Sequence, residues 1–174
     1  MPRTPTFPLL TICLVAALLA APTASWADDL ADIARLQAAG DFATALQRAD
    51  QALATKPRDA ALRFARGVVL AELKRDADAL AAFERLNEDF PELPDPLNNI
   101  AVLHAAAGRV DAARAALEAA LRNDPQHRAA RENLADVYLR LAVRLWDGLA
   151  NPGPADPAVA RKLRLARELL RAPG

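Results

Sequence analysis

The chain has 174 residues, enough for one ordinary domain. Its 22 basic and 22 acidic residues balance, so no global field recruits nucleic acid. Aromatics are only 5% and alanine is abundant, which favours close-packed helices over a large β core, and two histidines, His104 and His127, are too few and too far apart to suggest a metal site.

Residues 1–27 read as a secretory signal peptide. Arg3 supplies the positive start, Leu9 to Ala21 the apolar stretch, and Ser25-Trp26-Ala27 the small-residue site after Pro22. Cleavage after Ala27 leaves Asp28 first. The alternative is a retained anchor, but the apolar run falls short of the roughly 20 residues that a spanning helix needs. Leu10-Thr11-Ile12 lacks the small residue expected ahead of a lipidated cysteine. Cys13 is the one cysteine, so the processed chain is expected to carry no thiol and no disulfide. Such a leader on an alanine- and arginine-rich chain suggests a periplasmic protein of a Gram-negative envelope, with secretion as the alternative.

Beyond the leader, Pro57, Pro91 and Pro125 stand 34 residues apart. Aligning on them gives blocks 26–59, 60–93 and 94–127, with a partial fourth at 128–149. The third is the clearest, with Leu97, Ile100, Ala101, Gly108, Ala113, Leu117, Ala120 and Pro125. The first keeps Leu36, Gly40, Phe42, Ala45, Ala49, Ala52 and Pro57, but Asp29 and Asp32 fall where apolar residues are usual, so this block is expected to begin frayed or atypical. The second keeps Gly67, Leu70, Ala79, Phe83, Leu86 and Pro91, with Lys74-Arg75 in place of a turn glycine. The fourth keeps Leu134, Ala135 and Tyr138. Small residues such as Gly67, Ala79, Ala101 and Ala113 suit close helix crossings, and Gly40 and Gly108 suit the left-handed end of a helix. Proline stops each second helix. Asp95-Pro96 and Asp156-Pro157 each read as an N-cap followed by proline at the first helical position.

This period and these residues resemble the tetratricopeptide repeat (TPR) family. The resemblance spans about 100 residues, from Leu30 to about Tyr138. It implies an all-α fold, a right-handed α-solenoid of antiparallel helix pairs with about three and a half repeats. Apolar residues then continue at helical spacing through Leu141, Leu145 and Leu149 to a breaker stretch at Gly148–Pro154. After a linker at 150–156, a final helix is expected over 157–171, with Val159, Leu163, Ala166 and Leu170 on its apolar face. Arg161, Lys162, Arg164, Arg167 and Arg171 make its other face basic. A cap on the solenoid is one reading; contact with anionic lipid or an acidic partner is the other. Trp146 is expected to pack at that junction.

The resemblance further implies a concave groove lined by the first helices. Its positions carry over to Phe64, Val68 and Glu72, then to Asp95, Asn98 and Val102, then to Glu132, Asp136 and Arg140. Asn99 and Asn133 lie one step along. The groove is apolar at the second block, then acidic and amide-rich, suiting an extended or helical peptide with some basic character. The carboxylate clamp of chaperone-tail TPR domains does not carry over: its places hold Phe64, Val68, Asn99, Ala129 and Asn133, of which only Asn99 agrees. The expected function is a non-catalytic interaction scaffold or assembly factor in the cell envelope, with a membrane-surface adaptor docked through the basic final helix as the alternative. No cofactor and no catalytic group is expected, because neither histidine has a motif around it. Self-association through exposed end repeats and a weak membrane-surface contact are consistent with this reading.

Overall fold

The computed structural model describes residues 26–149 and 156–171, with side chains from Asp29 onward. The expected leader (up to Ser25), Cys13 and the linker at 150–155 lie outside the described residues. Eight helices occur among the described residues: α1 (Trp26–Ala38), α2 (Phe42–Thr55), α3 (Ala60–Glu72), α4 (Asp76–Asp89), α5 (Pro94–Ala106), α6 (Val110–Asn123), α7 (Arg128–Leu149) and α8 (Pro157–Leu169). Each packs on the next, giving an all-α solenoid of antiparallel pairs.

The turns repeat as the helices do. Gly40, Lys74 and Gly108, at the same place in successive blocks, hold φ of 74°, 58° and 73°. Lys74 thus performs the glycine's task against the steric cost of a Cβ in the left-handed region. The next such place is Ala142, inside α7, so that helix runs unbroken for 22 residues. Each second helix stops two residues before a proline, and the residue between is pushed out of the helical region. Lys56, Phe90 and Asp124 take ψ of 61°, 68° and 97°. Asp41 and Asp59 cap α2 and α3, accepting from Thr44 N at 3.1 Å and Leu62 N at 3.0 Å. Asp156 caps α8 as expected. Asp95 does not cap α5. The helix starts at Pro94, with Leu93 as its N-cap, because first-turn residues need no amide donor and Pro94 and Pro96 both fit there.

The core follows the same beat. Ala45, Ala49 and Ala52 of α2 are buried, as are Ala79, Phe83 and Leu86 of α4 and Ala113, Leu117 and Ala120 of α6. At the helix crossing, two positions exchange volume from block to block. Ile33 shares a buried cluster with Ala49, and Ala101 shares one with Leu117. Between them, Gly67 lies directly under Phe83, so close that a Cβ on Gly67 would come within 2.6 Å of the ring.

The first block begins in an ordered but atypical way, with charge where apolar contact is usual. Asp29 is only 4% exposed. It meets Lys56 Nζ at 2.6 Å and Arg48 Nη2 at 2.7 Å, while Arg48 also lies 3.5 Å from Asp32. The hydrogen bond from Lys56 chiefly holds the Asp29 carboxyl below its ordinary value of 3.8. Burial opposes this, and the charges of Lys56 and Arg48 add to it. The ion cluster pins α1 to the end of α2.

Two outcomes are expected. Gly67→Ala lowers stability, because overpacking against an immobile ring costs about 1–3 kcal/mol and outweighs the ~1 kcal/mol gained in helix propensity. Adding Phe83→Leu, which recreates the Ala101–Leu117 pairing, recovers about 1 kcal/mol beyond additivity in a urea-denaturation cycle. Asp29→Asn costs about 1–2 kcal/mol at neutral pH. A depressed carboxyl pKa stabilises the fold above its unfolded value, and that contribution is lost as pH falls through the lower folded value. The gap between wild type and variant should therefore narrow as pH falls below the ordinary carboxyl value of 3.8.

Candidate protein-binding groove

The first helices form the inner side of the solenoid. α1 touches α3 and α5 touches α7, whereas no second helix makes comparable contact with the next second helix. The inner surface is therefore built by α3, α5 and α7, and its character changes along its length.

At α3 the expected groove residues are partly spent on the core. Phe64 is half-buried, its ring 5.6 Å from that of Phe83 at a tilt of 52°. Val68 packs into the same cluster, and Glu72 is exposed. At α5 the structure corrects one expectation. Asn98 is buried, 9% exposed, because its Oδ1 accepts a 2.9 Å hydrogen bond from Asn133 Nδ2. The two amides close the seam between α5 and α7, which takes Asn98 out of the groove, while half-buried Asn133 still reaches its wall. Asn99 is half-buried, its Nδ2 donating back along α5 to the carbonyl of Asp95 at 2.9 Å.

Asp95 is exposed and lies 3.1 Å from His127 Nε2. His127 Nδ1 accepts from Ala130 N at 3.1 Å, so the imidazole caps α7 and presents its Nε2–H to Asp95. His127 is thereby a joint between the starts of two neighbouring first helices, a role no local motif could announce. Glu132 is exposed and accepts from Arg128 Nε at 2.8 Å. Its charge is thereby shared within α7.

What remains open is a cleft of about 220 Å³ between α5 and α7. Its floor and one wall are Ala101, Val102, Ala105 and Ala106. Its other wall is Asn133, Asp136 and Arg140. Val102 is 46% exposed, unusual for a valine on an inner helix face. Asp136 and Arg140 are exposed and form no ion pair among the described residues. The cleft can take one aliphatic side chain against alanine and valine while a carboxylate and a guanidinium stand beside it. Sequence reasoning found Val102, Asn133, Asp136 and Arg140. It missed the alanines, whose signal was their absence of bulk at two successive turns of the same face.

A family model described as Tetratricopeptide repeat matches residues 31–94 and 98–142. The chain belongs to the tetratricopeptide repeat family. No curated protein matches it. Among solved structures, this TPR protein is similar to the first TPR of Spaghetti (RPAP3) bound to HSP90 peptide SRMEEVD. The TM-score is 0.61 at 16% identity, over 66% of this chain and 90% of that one. It is similar to the first TPR domain of the human RPAP3 protein, with a TM-score of 0.62 at 15% identity, over 67% and 92%. It is also similar to a tetratricopeptide repeat protein from Parabacteroides merdae, with a TM-score of 0.62 at 17% identity, over 86% and 60%. At these identities the likeness is one of fold. TPR arrays are generally non-catalytic modules that hold other proteins, and this chain has that architecture. No described helix is long and apolar enough to cross a membrane.

The α7 seam can be tested. Asn133→Leu removes the donor to Asn98 and leaves a buried amide oxygen unpaired, which should cost about 1–3 kcal/mol by thermal denaturation. Asn98→Leu/Asn133→Leu removes both partners and should recover most of that loss.

Proposed function

We propose that this TPR protein is a non-catalytic scaffold or assembly factor of the bacterial cell envelope, holding a partner segment in the cleft between α5 and α7. The observation that carries the reading is the open pairing of a bare apolar floor at Val102 with the unengaged charges of Asp136 and Arg140. The envelope location rests on the leader, with Arg3, the apolar run Leu9–Ala21 and the small-residue site ending at Ala27. The periplasm suits it best, with secretion as the other destination.

The partner segment has an aliphatic side chain for the cleft and a basic group for Asp136 and Glu132. An acidic tail such as the peptide bound by the RPAP3 domain is disfavoured. The places of the clamp hold Phe64, Val68, Asn99, Ala129 and Asn133, none of them a cation. Affinity is modest, because three and a half repeats give a shallow groove and one cleft offers one anchor.

Peptide display against the chain tests this. Recovered sequences should share an aliphatic residue next to Lys or Arg. Val102→Asp and Asp136→Lys should each weaken their binding by about tenfold or more, with the helical content of the protein unchanged. Acidic consensus peptides, or binding indifferent to both substitutions, would contradict the proposal.

A further inference from the structure

The end of the solenoid carries a second surface, independent of the groove. Of the large hydrophobic side chains that stand exposed among the described residues, all but Val102 lie on the last two helices: Tyr138 at 49%, Leu145 at 68% and Leu149 at 71% on α7, and Leu165 at 45% and Leu169 at 65% on α8. A helix that only closes a solenoid turns a polar face outward. α8 instead buries Leu163 and Ala166 against α7 and still shows leucines on its outer side.

Charge surrounds those leucines. Arg161 and Lys162 lie one turn before Leu165, four and three residues away, so they share its face. Arg164 and Arg171 are exposed further round the helix. The two acidic neighbours are already engaged: Glu168 with Arg164 at 3.3 Å, and Asp147 with Arg167 at 2.7 Å. Arg161 and Lys162 have no acidic partner among the described residues. In a chain whose charges balance overall, this helix is a local cationic island with an apolar centre.

We propose that the outer face of α8 docks on an anionic phospholipid surface, its two leucines entering the headgroup boundary and its cations meeting phosphate groups. Charge complementarity selects that occupant. A second copy would oppose Arg161, Lys162 and Arg164 to their own counterparts, a like-charge contact. An acidic protein would need discrete carboxylates matched to cations spread over most of the outer circumference. A plane of anionic headgroups needs no such matching.

Amide hydrogen exchange of the full chain, titrated with vesicles, reads the contact at α8 itself. Residues 157–171 should become protected with vesicles of equimolar phosphatidylcholine and phosphatidylglycerol, and not with phosphatidylcholine alone. Arg161→Gln and Lys162→Gln should each raise the half-saturating lipid concentration about fivefold. Leu165→Asn/Leu169→Asn should raise it at least about tenfold. All four sites are exposed, so the circular dichroism melt should not move. Equal protection by both vesicle types, or unchanged protection in these variants, would overturn the proposal. A concentration-dependent mass without lipid, lost in the leucine variant, would overturn it in favour of a second copy.

Discussion

The close crossing of paired helices is the constraint on which the rest depends. At equivalent places in successive blocks a residue of the first helix and one of the second lie in one buried cluster or in direct contact, a large side chain set with a small one. Ile33 goes with Ala49, Gly67 with Phe83, and Ala101 with Leu117. The 34-residue period returns each pair to the same place. Alanine at the flanking buried positions lets the helices approach closely enough for the next pair to stack. The left-handed turns at Gly40, Lys74 and Gly108 then reverse the chain within three residues.

Long-range polar contacts add orientation, both within the first block and between blocks. Asp29 with Lys56 and Arg48 sets the first helix on the second. Asn123 donates to the Pro91 carbonyl, Asn133 to Asn98, and Arg144 to Asp111. His127 bridges Asp95 and the start of α7. Apart from Arg48, which lies 19 residues from Asp29, the pairs that join helices span 27 to 35 residues, one block or nearly so. The Arg144 guanidinium, by hydrogen bond, holds the Asp111 carboxyl below its ordinary value, and Glu118 bound to the Tyr138 hydroxyl pushes that phenol up. Solenoid curvature, and with it the spacing between α5 and α7, therefore depends on side chains that no helix-propensity argument would single out.

Much of the architecture was legible because it is written periodically. Pro57, Pro91 and Pro125 mark the ends of second helices, and the buried triplets of α2, α4 and α6 follow from them. The unbroken α7 was readable from its continuing apolar spacing. The start of α5 was not, since Pro94 and Pro96 are equally acceptable to a first helical turn and only packing selects between them. Asp29 looked like a flaw because its partners lie 19 and 27 residues away in sequence. The groove was legible as a set of positions but not as a surface. Asn133 donates to Asn98, Phe64 leans on Phe83, and what stays open is fixed by which side chains the neighbouring repeat leaves unengaged.

The proposed working surface is the inner face between α5 and α7. Site-specific photo-crosslinking in the native cell tests that most directly, with the probe at Val102 and a control probe at Glu88, an exposed residue of α4. The prediction is a discrete adduct from Val102, absent from Glu88 and lost when Asp136 and Arg140 are both reversed in charge. Adducts from Glu88 with none from Val102 would contradict the account and move the binding surface to the second helices.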